Sequence, residues 1–196
     1  MNILIDRLPK TLKVNGQEYR IDSDFRTCLR IMLAFQDAEL AGFEKSVIFF
    51  DNLFVDKPED VHAALERGTW FLNGGRAEKD EDEGPRVFGW NKDANLIFAA
   101  FQQTHGIDLE AVEYMHWWKF LALFMDLGSE TAFCNLVGMR KRVKTGKASK
   151  EERQMAREMG DAFIVEEIDD RTVEEREAER AFLAMVRGRQ ADNGSV

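Results

Sequence analysis

The chain has 196 residues, 44% of them hydrophobic and 11% aromatic, and its 27 Lys and Arg against 36 Asp and Glu give a formal net charge of −9. That composition excludes disorder throughout, and since domains run to roughly 100–150 residues the length holds one domain with appendages or two small ones. Fifteen Phe and 4 Trp against only 3 Pro favour packed helices over a turn-rich β architecture.

Near the N-terminus, Leu12, Val14, Tyr19 and Ile21 alternate with polar residues around Asn15-Gly16, a pair suited to the positive φ of a tight hairpin turn. Ile3 and Ile5 offer a third short strand before Pro9. From Ser23-Asp24, apolar residues at Phe25, Cys28, Leu29, Met32, Leu33 and Phe35 recur at helical spacing as far as Gly42, and Val47 to Phe54 form a second helical segment. Asp56-Lys57-Pro58-Glu59 reads as the cap of a third helix, which ends at Asn73-Gly74-Gly75. Residues 74–90 are acidic and aperiodic, a solvated loop. Beyond them a helix through Ala94, Ile97 and Phe101 stops near Gly106.

Asp108 is the expected cap of the most apolar helix, Tyr114 to Phe124 and on to Leu127, which should lie at the centre of the domain. Ser129 is the expected cap of the next, through Phe133, Cys134 and Met139. At Arg140 the composition changes to a basic run, Arg140, Lys141, Arg142, Lys144, Lys147 and Lys150, read as an exposed linker. Two capping boxes follow, Ser149 to Glu152 and Thr172 to Glu175, each opening a helix with a narrow apolar stripe. The expected organisation is mainly α: an N-terminal β-hairpin over 1–22, a compact helical core over 23–142, and a basic linker with a two-helix extension over 143–196.

Chemistry is sparse. Thr145-Gly146-Lys147-Ala148-Ser149 lacks both the early glycine and the hydroxyl after Lys that a phosphate loop needs. His62, His105 and His116 show no i,i+3 or i,i+4 partnering with one another, and Cys28 and Cys134 stand far apart, as buried thiols in a reducing compartment would. His116, if buried beside Trp117 and Trp118, should be neutral and hydrogen-bonded. The two tryptophans point about 100° apart on a helix and suit core packing better than a ligand platform. No nucleophile elbow occurs, so no catalytic residue, metal or cofactor is expected, and an enzyme is not the reading. The N-terminal apolar run is too short for a signal peptide, and no stretch approaches the roughly 18 apolar residues of a membrane span.

Asn2 to Asp6, Asp24-Phe25-Arg26-Thr27, Gly106-Ile107-Asp108-Leu109 and, above all, Tyr114-Met115-His116-Trp117-Trp118-Lys119-Phe120 resemble the bacteriophage gene-product-fifteen family of tailed phages and prophages of Gram-positive bacteria. The resemblance covers about residues 2–142. It implies a tail-morphogenesis protein, since genes of that family typically lie just before the tape-measure gene, where tail assembly chaperones are encoded. The expected partner is then the tape-measure protein, with tail-tube subunits as a second and self-association as a third, in the host cell cytoplasm.

Met155, Met159 and Phe163 on one C-terminal stripe, and Phe182 and Met185 on the other, are the candidate partner-binding residues. Alternatively these helices fold back on the core or pair between copies. The alternative function is a permanent structural tail or head-tail connector component of the virion. A nucleic-acid-binding role has only the basic run in its favour, and that run lacks interleaved aromatics.

Overall fold

In the computed structural model, which describes residues 3–76 and 84–165, Asn15 and Gly16 take φ of 48° and 87° and turn strand β1 (Thr11–Val14) back onto β2 (Gln17–Arg20). Leu12 pairs with Tyr19 and Val14 with Gln17, the two-residue loop that Asn-Gly favours. Leu12 and Val14 are buried while Thr11 and Lys13 face solvent, so the alternation in the sequence decides which face is covered.

The described helices are α1 (Phe25–Gln36), α2 (Gly42–Leu53), α3 (Val61–Leu72), α4 (Ala94–His105), α5 (Trp117–Met125), α6 (Ala132–Lys144) and α7 (Lys150–Met159), the last continued by a 3-10 turn, Gly160–Ala162. The fold is mainly α. α1 packs on α2 and α3 on β1, while α4 packs on α6; α5 touches both α1 and α4 and joins the two halves.

Aromatic side chains fill that junction. Phe120 on α5 stacks between Phe25 of α1 and Phe101 of α4, each centroid 4.9 Å away. The adjacent tryptophans are buried: Trp117 Nε1 donates to Leu72 O at 2.8 Å and Trp118 Nε1 to Phe71 O at 2.7 Å. These carbonyls belong to the last turn of α3, where helical partners run out, so the two indoles cap α3 while burying their rings. Core packing, rather than a ligand platform, is their role.

Several local expectations need correction. Ile3 and Ile5 form no third strand among the described residues; residues 3–5 are an exposed turn, and Leu4 is 91% exposed. The cap of α3 is Asp60, which accepts from Ala63 N at 3.0 Å, whereas Asp56 is engaged by the Arg20 guanidinium at 2.8 and 2.9 Å. Asn15 Nδ2 donates to the other Asp60 oxygen at 2.7 Å, so the hairpin tip helps select that cap.

Asp108 caps only a turn, accepting from Glu110 N, and the helix starts nine residues later at Trp117. The reason is tertiary: Phe25 N donates to Met115 O and Trp117 N to Ser23 O, an extended pairing that a helix through 114–116 would forbid. Ser129 is likewise not the cap of α6. Thr131 is, its Oγ1 accepting from Cys134 N while donating to Gly128 O.

Candidate interaction surfaces

The four short stretches that carry the family resemblance do not make a pocket of reactive groups. Three of them meet at the junction of α1 and α5. Asp24 caps α1 by accepting from Arg26 N at 3.0 Å, and its second oxygen accepts from Met115 N at 3.1 Å. Arg26 Nη2 donates to Leu109 O at 2.6 Å and Val112 O at 2.8 Å, holding the turn that follows Gly106. Ser23 Oγ and Tyr114 OH share a hydrogen bond of 2.8 Å.

His116 closes this network. Its Nδ1 accepts from Trp118 N at 3.0 Å, which makes it the N-cap of α5, so the ring proton must sit on Nε2, which then donates to Pro9 O at 2.9 Å. Burial pushes its pKa below the usual histidine value; Lys10 nearby acts in the same direction, against the pull of the Pro9 carbonyl. The expected neutral, hydrogen-bonded histidine is therefore present, though as a helix cap rather than within a helix.

An apolar groove of about 360 Å³ opens beside this junction, between α1 and α4. Phe25, Ile97 and Phe120 make its floor, Leu29 and the 43% exposed Phe98 its apolar walls, and Arg26 and Glu110 stand among the residues that line it. No signal within one segment revealed it, because Leu29 and Phe98 come from helices far apart in sequence. Phe98 is not among the Ala94, Ile97 and Phe101 stripe that marks its own helix in the sequence.

The C-terminal residues singled out in the sequence divide. α7 contains no buried residue; Met155 is 51% exposed and Met159 36%. Its Ser149 capping box forms as expected, with Glu152 N donating to Ser149 Oγ and Ser149 N to Glu152 Oε2. Phe163 leaves the stripe: it is 8% exposed and packs beside the Arg140 guanidinium, 6.0 Å from its ring centroid. Phe182 and Met185, with the Thr172 capping box, lie outside the described residues.

Arg140 itself departs from the expectation of an exposed basic linker. It is 1% exposed and reaches Asp93 Oδ2 at 2.7 Å, and it donates to the carbonyls of Val87, Ala162 and Phe163. Lys141, Arg142 and Lys147 are exposed, as read. Thr145-Gly146-Lys147 is the turn between α6 and α7, with Gly146 at φ 74°.

No group of three or more His, Cys, Asp or Glu that could hold a metal occurs among the described residues. No described helix is long and apolar enough to cross a membrane. Burial raises the Cys28 thiol far above its ordinary pKa, which makes it a poor nucleophile.

A comparison with protein families matches residues 4–164 to the bacteriophage Gp15 protein family. The chain belongs to that family. Curated proteins and solved structures give no match. The Gp15 match extends past the 2–142 span of the short motifs and takes in α7 and the buried Phe163. In this Gp15 chain the Arg140 anchor and the helix it secures thus lie within the family's matched region.

Proposed function

We propose that this Gp15-family chain is a tail assembly chaperone that binds the tape-measure protein, and tail-tube subunits with it, in the host cytoplasm during phage assembly. It acts by binding and not by catalysis. The observation that carries this reading is α7, a helix with no buried side chain that displays Met155 and Met159 while being anchored at both ends. Arg142 grips Glu152 at its start, with 2.6 Å between Nη2 and Oε1, and Arg140 holds the carbonyls of Ala162 and Phe163 beyond its end. Methionine is unbranched and polarizable, and it adapts to the irregular apolar stripe of another helix.

Tape-measure protein is long, helical and prone to self-association when unsheathed, so such a surface would cover it transiently. The test is co-expression with the tape-measure product encoded alongside, capture of each through a tag on the other, and a probe of purified virions for this chain. Capture together with absence from virions is the expected result. Presence in virions at fixed copy number would make the chain a permanent tail or head-tail connector component instead.

A further inference from the structure

Next to the α1–α4 groove lies a second cleft, of about 660 Å³, lined by Leu33, Gln36, Asp37, Arg86, Lys92 and the last described residues, Ile164 and Val165. The two hollows draw on the same two segments, with no lining residue in common. Leu29 and Leu33 stand about one helical turn apart on α1, and on the other side Trp90 of the groove is followed by Asn91 and Lys92 of the cleft. The described chain therefore ends in the wall of the second cleft, where Lys144 Nζ holds Val165 O at 3.2 Å.

Residues 166–196 continue from that point, and their sequence matches the two hollows in order. Residues 166–177 carry seven acidic side chains against Arg171 and Arg176, and they would first meet a cleft bearing Arg86 and Lys92, with Lys144 beside the exit and Asp37 as the opposing charge. The Thr172 capping box then opens a helical pattern whose apolar stripe is Ala178, Ala181, Phe182 and Met185. That stripe is narrow, as a groove rather than a broad face requires. Six extended residues, 166–171, reach roughly 20 Å. The distance along α1 from Leu33 back to Phe25 is about 12 Å at 1.5 Å per residue, so the tail reaches the groove without strain.

We propose that residues 172–187 dock in cis as a helix in the α1–α4 groove, seating Phe182 against Leu29 and Phe98. This docking stands whether or not tape measure is the partner.

The test uses the full chain carrying Phe98→Cys and Phe182→Cys, with Val47→Cys and Phe182→Cys as the control pair on an exposed position of α2 that does not line the groove. Each is oxidised mildly over a range of protein concentrations and mapped by non-reducing electrophoresis and peptide analysis. The expected result is a concentration-independent link between positions 98 and 182 within one chain, at least about tenfold over the control, as an intramolecular contact's effective concentration implies. Linked dimers that increase with concentration would mean that a second copy fills the groove and would overturn the proposal, as would linkage no greater than the control. As a second measurement, Phe182→Asp in the otherwise unaltered chain should speed hydrogen exchange in residues 25–36 and 94–101; unchanged exchange there would also overturn it.

Discussion

Arg140 and Asp93 form an ion pair with their side chains only 1% and 3% exposed, Nη1 lying 2.7 Å from Oδ2. Asp93 occupies the N-cap position of α4, yet its carboxylate makes no bond to the first turn of that helix. It accepts instead from Arg140 and from Gly89 N. Three further guanidinium hydrogens go to carbonyls at 87, 162 and 163, so one side chain ties α6 to the start of α4 and to the segment after α7. Each of the three guanidinium nitrogens donates at least once, which is what a buried cation needs.

Removing one member of such a pair leaves the other charge buried without compensation, at a cost of about 3–5 kcal/mol. Arg140→Ala and Asp93→Ala should each destabilise by that order in urea unfolding, and the double variant should lose less than the sum. Additive losses would show that the two charges are not coupled. The same geometry ranks two truncations. A chain ending at 165 keeps all the acceptors of Arg140 and should melt above one ending at 148, which loses Ala162 O and Phe163 O.

His116 predicts a pH dependence. Its Nδ1 must be unprotonated to cap α5, and burial lowers its pKa in the folded protein. The unfolded chain, with an ordinary histidine pKa near ~6.5, then binds the proton more readily than the folded one. Stability from this group is complete above that pH and is lost as pH falls from there to the lowered folded value. Urea midpoints measured from pH 7.5 down to pH 5 should fall for the native chain. They should fall less for His116→Asn, whose side chain caps without titrating. Equal slopes in the two proteins would assign the pH effect to other groups.

Features specified by neighbouring residues were legible in the sequence: the Asn15-Gly16 turn, the Asp24 cap and the Ser149 capping box. Where several cap candidates lay within a few residues, tertiary contacts chose among them. Asn15 selects Asp60 over Asp56, pairing of 115–117 with 23–25 moves a helix start from Asp108 to His116, and burial favours Thr131 over Ser129. Arg140 reads as surface among its basic neighbours because its acceptors arrive from three distant segments. The α1–α4 groove has the same character, since its lining comes from two helices separated by about sixty residues and from segments beyond both.

Gly68 marks the crossing of α2 and α3. A Cβ there would lie 2.8 Å from Leu53 Cδ2 and nearer still to Phe49 Cζ, both in fully buried side chains. Alanine gains about 1 kcal/mol in helix propensity over glycine. Overpacking a filled core costs about 1–3 kcal/mol or more. With two rigid neighbours in the way, the second effect should win, and Gly68→Ala should lower the thermal midpoint. A raised midpoint would mean that the helices part without cost.

The last prediction separates binding from folding on α7. Met155 and Met159 touch no described core, and exposed substitutions away from such contacts usually change stability by less than about 0.5 kcal/mol. Met155→Asp with Met159→Asp should therefore leave the melting midpoint unchanged while abolishing capture of the tape-measure product. Phe163→Asp should do the opposite at the level of the fold, because its ring is buried beside Arg140 and a carboxylate there would also compete with Asp93 for the guanidinium. If the methionine pair leaves capture intact, α7 is not the contact surface. If it lowers the midpoint as much as Phe163→Asp does, the two methionines belong to the folded core, and the chaperone reading loses the observation that carries it.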